Sequence, residues 1–108
     1  MKRGDLVAVR DRDGPASKAR PCLVVQSDRA GGETAALSVC PLTSTLSARP
    51  LIRPTLVPTV GNGLHAVSDI EVDRIFSPQR KRIGMRIGEV DSFTMRQVDE
   101  ALRRWLDL

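Results

Sequence analysis

Residues 18–28 read KARPCLVVQSD, and the fold turns on how this stretch is read. Cys22, Leu23, Val24 and Val25 form an unbroken apolar run that leaves through the polar Gln26, Ser27 and Asp28. A strand with one wet face would show a polar residue at every second position, so an unbroken run suits a strand buried on both faces. The spacing predicts that strand over Cys22 to Gln26. Arg20 and Pro21 stand directly in front of it, placing a fixed positive charge at the mouth of a buried strand. The ordinary reading of such an arginine is a solvated strand end. The alternative is a guanidinium held at a site by a rigid scaffold.

The rest of the chain supplies partners for that strand. Leu6 to Val9 predicts a first strand, and Asp11 to Lys18, with Gly14 and Pro15 among charges, predicts a loop. Gly31-Gly32 predicts a turn, followed by a strand over Ala35 to Cys40 that Pro41 stops, and then a polar loop from Leu42 to Ala48. Leu51 to Val57 reads as an edge strand, because Pro54 within it cannot donate to a ladder. Gly61-Asn62-Gly63 is a strong turn signal before a strand over Leu64 to Ile70, and Met85 to Val90 adds a last short strand. Short strands with turns at near-regular spacing favour a compact β-barrel over a sandwich. The period then changes. Met95, Val98, Leu102 and Trp105 follow helical spacing, Asp91 or Ser92 is placed to cap, and Trp105 is expected in the core. Asp99 with Arg103 and Glu100 with Arg104 are spaced as i, i+4 pairs on the other side. The chain class is therefore mainly β with a C-terminal α-helix, organised as one domain over residues 1–108.

Composition narrows the function. A chain of 108 residues buries roughly two-thirds of its unfolded surface, enough for one modest core. Seventeen Lys and Arg against 13 Asp and Glu leave a net charge of +4, which is compatible with a polyanionic partner without establishing one. From Arg74 to Gly88 the basic residues Arg74, Arg80, Lys81, Arg82 and Arg86 meet no acid, so the segment reads either as a solvated loop or as a phosphate-facing patch. Aromatics are scarce (Phe76, Phe93 and Trp105, with no tyrosine), so a nucleic-acid surface here would rest on charge and hydrogen bonds more than on stacking. Cys22 and Cys40 sit in apolar runs without Cys-x-x-Cys spacing, and with a single histidine this argues against a metal cage and for reduced core thiols in the cytoplasm. No segment has the length of a membrane span or of a signal peptide.

Together the motifs carry a resemblance. RGDLVAV, RPCLVVQSD, CPLTST, GNGL and VDRI follow in the order and rough spacing of the MazF/PemK toxin family, and the closing VDEALRRWLDL resembles that family's terminal helix. The resemblance implies a small CcdB/PemK-like β-barrel of the Src-homology type, acting as a homodimer. It implies a sequence-selective endoribonuclease from a toxin–antitoxin pair, with an acidic antitoxin as partner, operator DNA bound together with that antitoxin, and no cofactor. By position, Arg20 matches the catalytic arginine and Thr43 the catalytic threonine. Lys18, Ser44, Asp73 and Arg74 match positions that contact RNA. Two departures stand out. Pro15-Ala16-Ser17-Lys18 replaces a longer Gly-x-Glu-Gln stretch, so the recognised base sequence does not transfer, and Glu71 stands where some relatives carry a basic residue.

The chemistry is independent of the resemblance. RNA carries its own nucleophile, the 2′-hydroxyl, so a protein that aligns it and stabilises the added phosphoryl charge needs neither metal nor covalent residue. A guanidinium stays charged and offers a fork of donors suited to phosphoryl oxygens. A mechanism with two histidines is excluded, because His65 is the only one, and it reads as a strand residue near a turn. Two other readings compete. One is a non-enzymatic DNA gyrase inhibitor of the CcdB type, which acts through a terminal Trp-Gly-Ile; this chain ends Trp105-Leu106-Asp107-Leu108. The other is an inactive relative that only binds antitoxin or operator DNA.

Overall fold

The computed structural model describes residues 1–30 and 36–108. Six strands, β1 (Asp5–Arg10), β2 (Ala19–Val24), β3 (Val39–Thr43), β4 (Thr55–Leu56), β5 (Ser68–Ile70) and β6 (Ile83–Glu89), precede one helix, α1 (Ser92–Leu106). Single 3₁₀ turns occupy Val72–Arg74 and Arg80–Arg82. The strands form one antiparallel sheet in the order β4-β5-β3-β2-β1-β6. The mainly β class with a C-terminal helix is as expected, but the sheet does not close into a barrel by strand pairing. Its ends, β4 and β6, are bridged instead by the 59–63 turn, where Glu89 N–H donates to the Gly61 carbonyl at 3.0 Å. β4 is too short to supply the missing ladder.

β2 is buried on both faces, as its unbroken apolar run requires. Leu23 joins Leu6, Cys40, Leu42, Ile70 and Val72 in a core covered by Val98 and Ala101 of α1. Cys22 and Val24 point the other way and join Val7, Val9, Leu37 and Val39, with Ile83 packed against them. This two-sided burial follows from side chains alternating across a strand with period two.

Several boundaries differ from the sequence reading. β2 begins three residues earlier, so Arg20 lies within the strand, opposite Val9. Pro41 does not stop β3; it pairs opposite Cys22. Backbone N and C=O of one strand residue point to the same side, and the Pro41 carbonyl accepts from Glu71 N–H at 2.8 Å. Its hydrogen-less nitrogen faces the Glu71 carbonyl, which accepts instead from Arg74 N–H at 3.0 Å, so that acceptor is not left open. The strands expected over Leu51–Val57 and Leu64–Ile70 shrink to β4 and β5, leaving His65 in a bend. The Gly31-Gly32 turn and the start of the strand expected from Ala35 lie outside the described residues.

The helix starts where expected, with the Asp91 carboxylate accepting from Thr94 N–H at 2.8 Å. Its buried stripe is Thr94, Val98 and Ala101, flanked by the half-buried Met95 and Leu102. Trp105 is not core. It is 50% exposed, because the last turn of α1 extends past the end of the core. The expected pairing of Asp99 with Arg103 is also replaced: Asp99 binds Arg3, which ties the N-terminus to the helix, and Arg103 pairs with Glu100 one turn back.

The sheet seam depends on close backbone approach. A Cβ on Gly88 would stand 2.5 Å from the Gly61 carbonyl oxygen and from the Asn62 carbonyl carbon. The Asn62 side chain organises that turn, accepting from Thr59 and Leu64 N–H and donating to the Val57 carbonyl. Gly88→Ala should therefore destabilise by about 1–3 kcal/mol in urea unfolding, the usual scale for overpacking against atoms that cannot yield. Gly61→Ala, whose Cβ would meet nothing closer than 3.9 Å, should stay within about 0.5 kcal/mol of the parent.

Candidate active site

The strand pairing that builds the core also builds a cleft. The β2–β3 ladder runs from Val24 opposite Val39 to Cys22 opposite Pro41, and Arg20 and Thr43 lie two residues beyond that last pair, one on each strand. Arg20 shares the face of Cys22 and Val24, and Thr43 the face of Pro41 and Val39, so both side chains emerge on the face turned away from α1. There, past the end of the second apolar cluster, lies a cleft of about 1040 Å³ lined by Lys18, Arg20, Cys22, Pro41, Thr43, Ser44, His65, Arg74 and Phe76, among others. Four of the positions singled out from the sequence as RNA contacts or catalysts on flanking loops and strands, Lys18, Thr43, Ser44 and Arg74, thus share one cleft with Arg20.

The donors are held in different ways. The Arg20 side chain is 57% exposed at the cleft, with Nη1 3.7 Å from Glu71 Oε1. Thr43 Oγ1 accepts from Thr45 N–H at 3.1 Å, which fixes the hydroxyl while leaving its own hydrogen to donate. Lys18 is anchored through its backbone, whose N–H donates to the Asp11 carboxylate and whose carbonyl accepts from Asp11 N–H, both at 3.0 Å. Arg74 Nε lies 3.3 Å from Glu71 Oε2.

Asp73 is placed differently. It is absent from the cleft lining, and its carboxylate takes a two-pronged bond from Arg53, Nε at 2.8 Å and Nη2 at 2.9 Å. Arg53, which the sequence reading did not single out, is nearly buried and also approaches Glu71 Oε2 at 3.4 Å. Nothing in the local sequence marks Arg53, since its partners lie about twenty positions away. Nearby, buried Asp69 accepts from Ser47 N–H and Oγ and from Thr55 Oγ1, pinning the loop after Thr43. Phe76 was likewise not assigned to the site. It reaches the cleft because it bridges Val39 on the flank of β3, and it is 42% exposed there.

The basic segment after Arg74 is not a row of free charges. Lys81 and Arg82 pair with Asp13, and Arg86 pairs with Asp5 and Glu89. The acids missing from the segment itself come from β1, the loop after it and the end of β6. The thiols are inert for a different reason: burial pushes Cys22 and Cys40 up to about 12, and they sit on opposite faces of the sheet. Among the described residues no group of three or more His, Cys, Asp or Glu could hold a metal ion.

The Arg53 hydrogen bonds hold the Asp73 carboxyl below its ordinary value, against burial, which pushes it up. A carboxyl lowered in the folded state stabilises the fold above its unfolded value, and that contribution is lost as pH falls through the folded value. Asp73→Asn should therefore be less stable than the parent at pH 7. The gap should narrow on acidification below roughly pH 4, as followed by urea midpoints across pH. A gap that is constant with pH would show that the pair contributes through shape alone.

Known proteins similar to this chain place its family and its fold. The family model described as PemK-like, MazF-like toxin of type II toxin-antitoxin system matches residues 2–106. A probable endoribonuclease MazF of Mycolicibacterium smegmatis is 32% identical over 108 residues, covering 100% of this chain and 98% of the relative. Among solved structures, a MazE–MazF structure from Deinococcus radiodurans superposes with a TM-score of 0.80 at 24% identity, covering 100% of this chain and 96% of the other. A mycobacterial endoribonuclease in complex with its cognate antitoxin superposes with a TM-score of 0.76 at 23% identity, again covering 100% and 96%. At these identities the structures bear on the fold, and the family match bears on descent: the chain belongs to the PemK-like, MazF-like toxins of type II toxin-antitoxin systems.

Proposed function

We propose that this protein is a metal-independent, sequence-selective endoribonuclease that cuts single-stranded RNA at the cleft between β2 and β3. The observation that carries the reading is that Arg20 of β2 and Thr43 of β3 line one cleft on the sheet face turned away from α1. The names of the relatives support the reaction class, since the M. smegmatis protein is called a probable endoribonuclease.

The step follows from the donors available. The 2′-oxygen attacks phosphorus as its proton passes to water, and the phosphorus–5′-oxygen bond breaks as that oxygen takes a proton from water, so the proton count is unchanged. The products are a 2′,3′-cyclic phosphate and a 5′-hydroxyl. Arg20 donates to a non-bridging oxygen as negative charge builds in the transition state, and the Thr43 hydroxyl adds a second oriented donor. Arg20 stays protonated throughout and acts through charge. Lys18, Ser44 and Arg74 contact the RNA on either side, and Asp73 contributes to binding by holding Arg53 beneath the cleft.

The toxin works in the cytoplasm as a homodimer, and its partner is a cognate acidic antitoxin laid across the basic cleft, the pair together binding operator DNA. Two structural neighbours contain antitoxin partners of their own, which supports this arrangement. Among the described residues no helix is long and apolar enough to cross a membrane.

A purified-protein assay on a long RNA, run beside a gyrase supercoiling assay, separates this reading from gyrase inhibition. RNA should be cut at defined sites, with and without EDTA, and supercoiling should be untouched. Arg20→Ala should lose about 10³-fold in rate with an unchanged circular dichroism spectrum, and Thr43→Val about 10²-fold. Arg20→Lys should recover little, because an ammonium lacks the planar fork. Loss of cutting in EDTA, or an Arg20→Ala variant that still cuts, would refute the assignment.

A further inference from the structure

Beneath the cleft lies a carboxylate that packing alone does not explain. Glu71 follows β5, is 4% exposed, and has its backbone fixed by the bond from its N–H to the Pro41 carbonyl. Three guanidinium groups surround its side chain: Arg74 Nε at 3.3 Å and Arg53 Nη1 at 3.4 Å from Oε2, and Arg20 Nη1 at 3.7 Å from Oε1. Among the described residues Oε1 finds no hydrogen-bond partner. A buried carboxylate left with an open acceptor is costly, and an apolar residue of the same volume would fill the space without that cost.

The charge has a use if it acts on the two exposed arginines. Arg53 directs its short two-pronged bond to Asp73, and the two charges largely neutralise each other. Glu71 is then left to face Arg20 and Arg74, whose side chains are 57% and 66% exposed. Without an anchor, two long cations side by side would repel each other and spread over many rotamers in water. A negative charge between and below them offsets the repulsion and draws both toward one place. The 3.7 Å separation is too long for a hydrogen bond, so Arg20 keeps all its donors for a substrate oxygen.

We propose that Glu71 is a positioning residue that holds Arg20 and Arg74 from below as a paired clamp for adjacent phosphates of the RNA. The inference rests on the endoribonuclease reading above. It makes the ion group Asp73, Arg53 and Glu71 a charged floor for the clamp.

Glu71→Gln keeps the shape and removes the charge, and it is tested in the full chain by three measurements. Side-chain ¹⁵N relaxation should show the Nε–H groups of Arg20 and Arg74 becoming more mobile, while Arg53 stays rigid. Steady-state cutting of a short RNA with one site should show kcat falling roughly 10- to 100-fold, the scale of a misplaced catalytic group, with KM changed less than about threefold. Thermal melting should show the variant folded. Glu71→Asp, which keeps the charge at shorter reach, should recover part of kcat, whereas Glu71→Met, which keeps only the volume, should not. Unchanged arginine mobility in Glu71→Gln overturns the proposal, as does a kcat loss that is equal in Glu71→Asp and Glu71→Met. Should the parent protein cut no RNA, the endoribonuclease reading falls, and the relaxation arm still decides whether Glu71 restrains the two arginines.

Discussion

The ladder between β2 and β3 is the constraint on which the rest of the molecule depends. Leu23 opposite Cys40 and Cys22 opposite Pro41 divide the side chains of both strands between two faces. One face becomes the core under α1, and the other becomes a smaller apolar cluster that ends at the cleft. A slip of one residue would turn Arg20 and Thr43 toward the helix and drive Leu23 outward. The burial of Leu23, Val24 and Cys40 therefore specifies which side chains reach the cleft as firmly as it specifies the fold. Core and cleft share one register.

Electrostatics divides the same region by depth. Acids lie beneath the surface and bases at it. Asp69, Glu71 and Asp73 are buried or nearly so along β5 and the 3₁₀ turn after it, while Arg20, Arg49 and Arg74 stand more than half exposed above them. Arg53 is the exception, a cation drawn inside by two carboxylates. This layering leaves an electropositive mouth above compensated buried charge. On the function proposed above, a polyanion would meet guanidinium groups already drawn toward buried carboxylates, which would leave less ordering for the moment of binding. The basic run from Arg80 to Arg86 contributes in another way, since Lys81, Arg82 and Arg86 pair with acids of β1, the loop after it and β6 and so brace the sheet edge as well as charging it.

Much of the architecture was legible in local patterns, because those patterns reflect backbone physics that acts over a few residues. The apolar run at Cys22, the Gly-Asn-Gly turn and the Asp91 cap each correspond to an observed feature. Trp105 and Pro41 were misjudged for a common reason. Whether a helical position is covered depends on where the sheet beneath it ends, and whether a proline breaks a strand depends on whether its neighbour needs the missing N–H there. Both are properties of the neighbour. The closing of the sheet by a turn instead of by strand pairing belongs to the same class, since it depends on how Gly88 meets Gly61 across the seam.

By itself the sequence determined the mainly β class and the terminal helix, and its ordered motifs singled out Arg20 and Thr43. Alternation and ordered motifs are written in the order of residues and survive without knowledge of contacts. Only the tertiary structure decided that these two residues share a face with Lys18, Ser44 and Arg74, that Asp73 turns inward to Arg53, and that Glu71 sits under both exposed arginines. The physical reason is range. Except for Glu71 with Arg74, three positions apart, these ion pairs and cleft walls join residues about twenty positions or more apart, and a charge acts through the space around it, whatever its place along the chain.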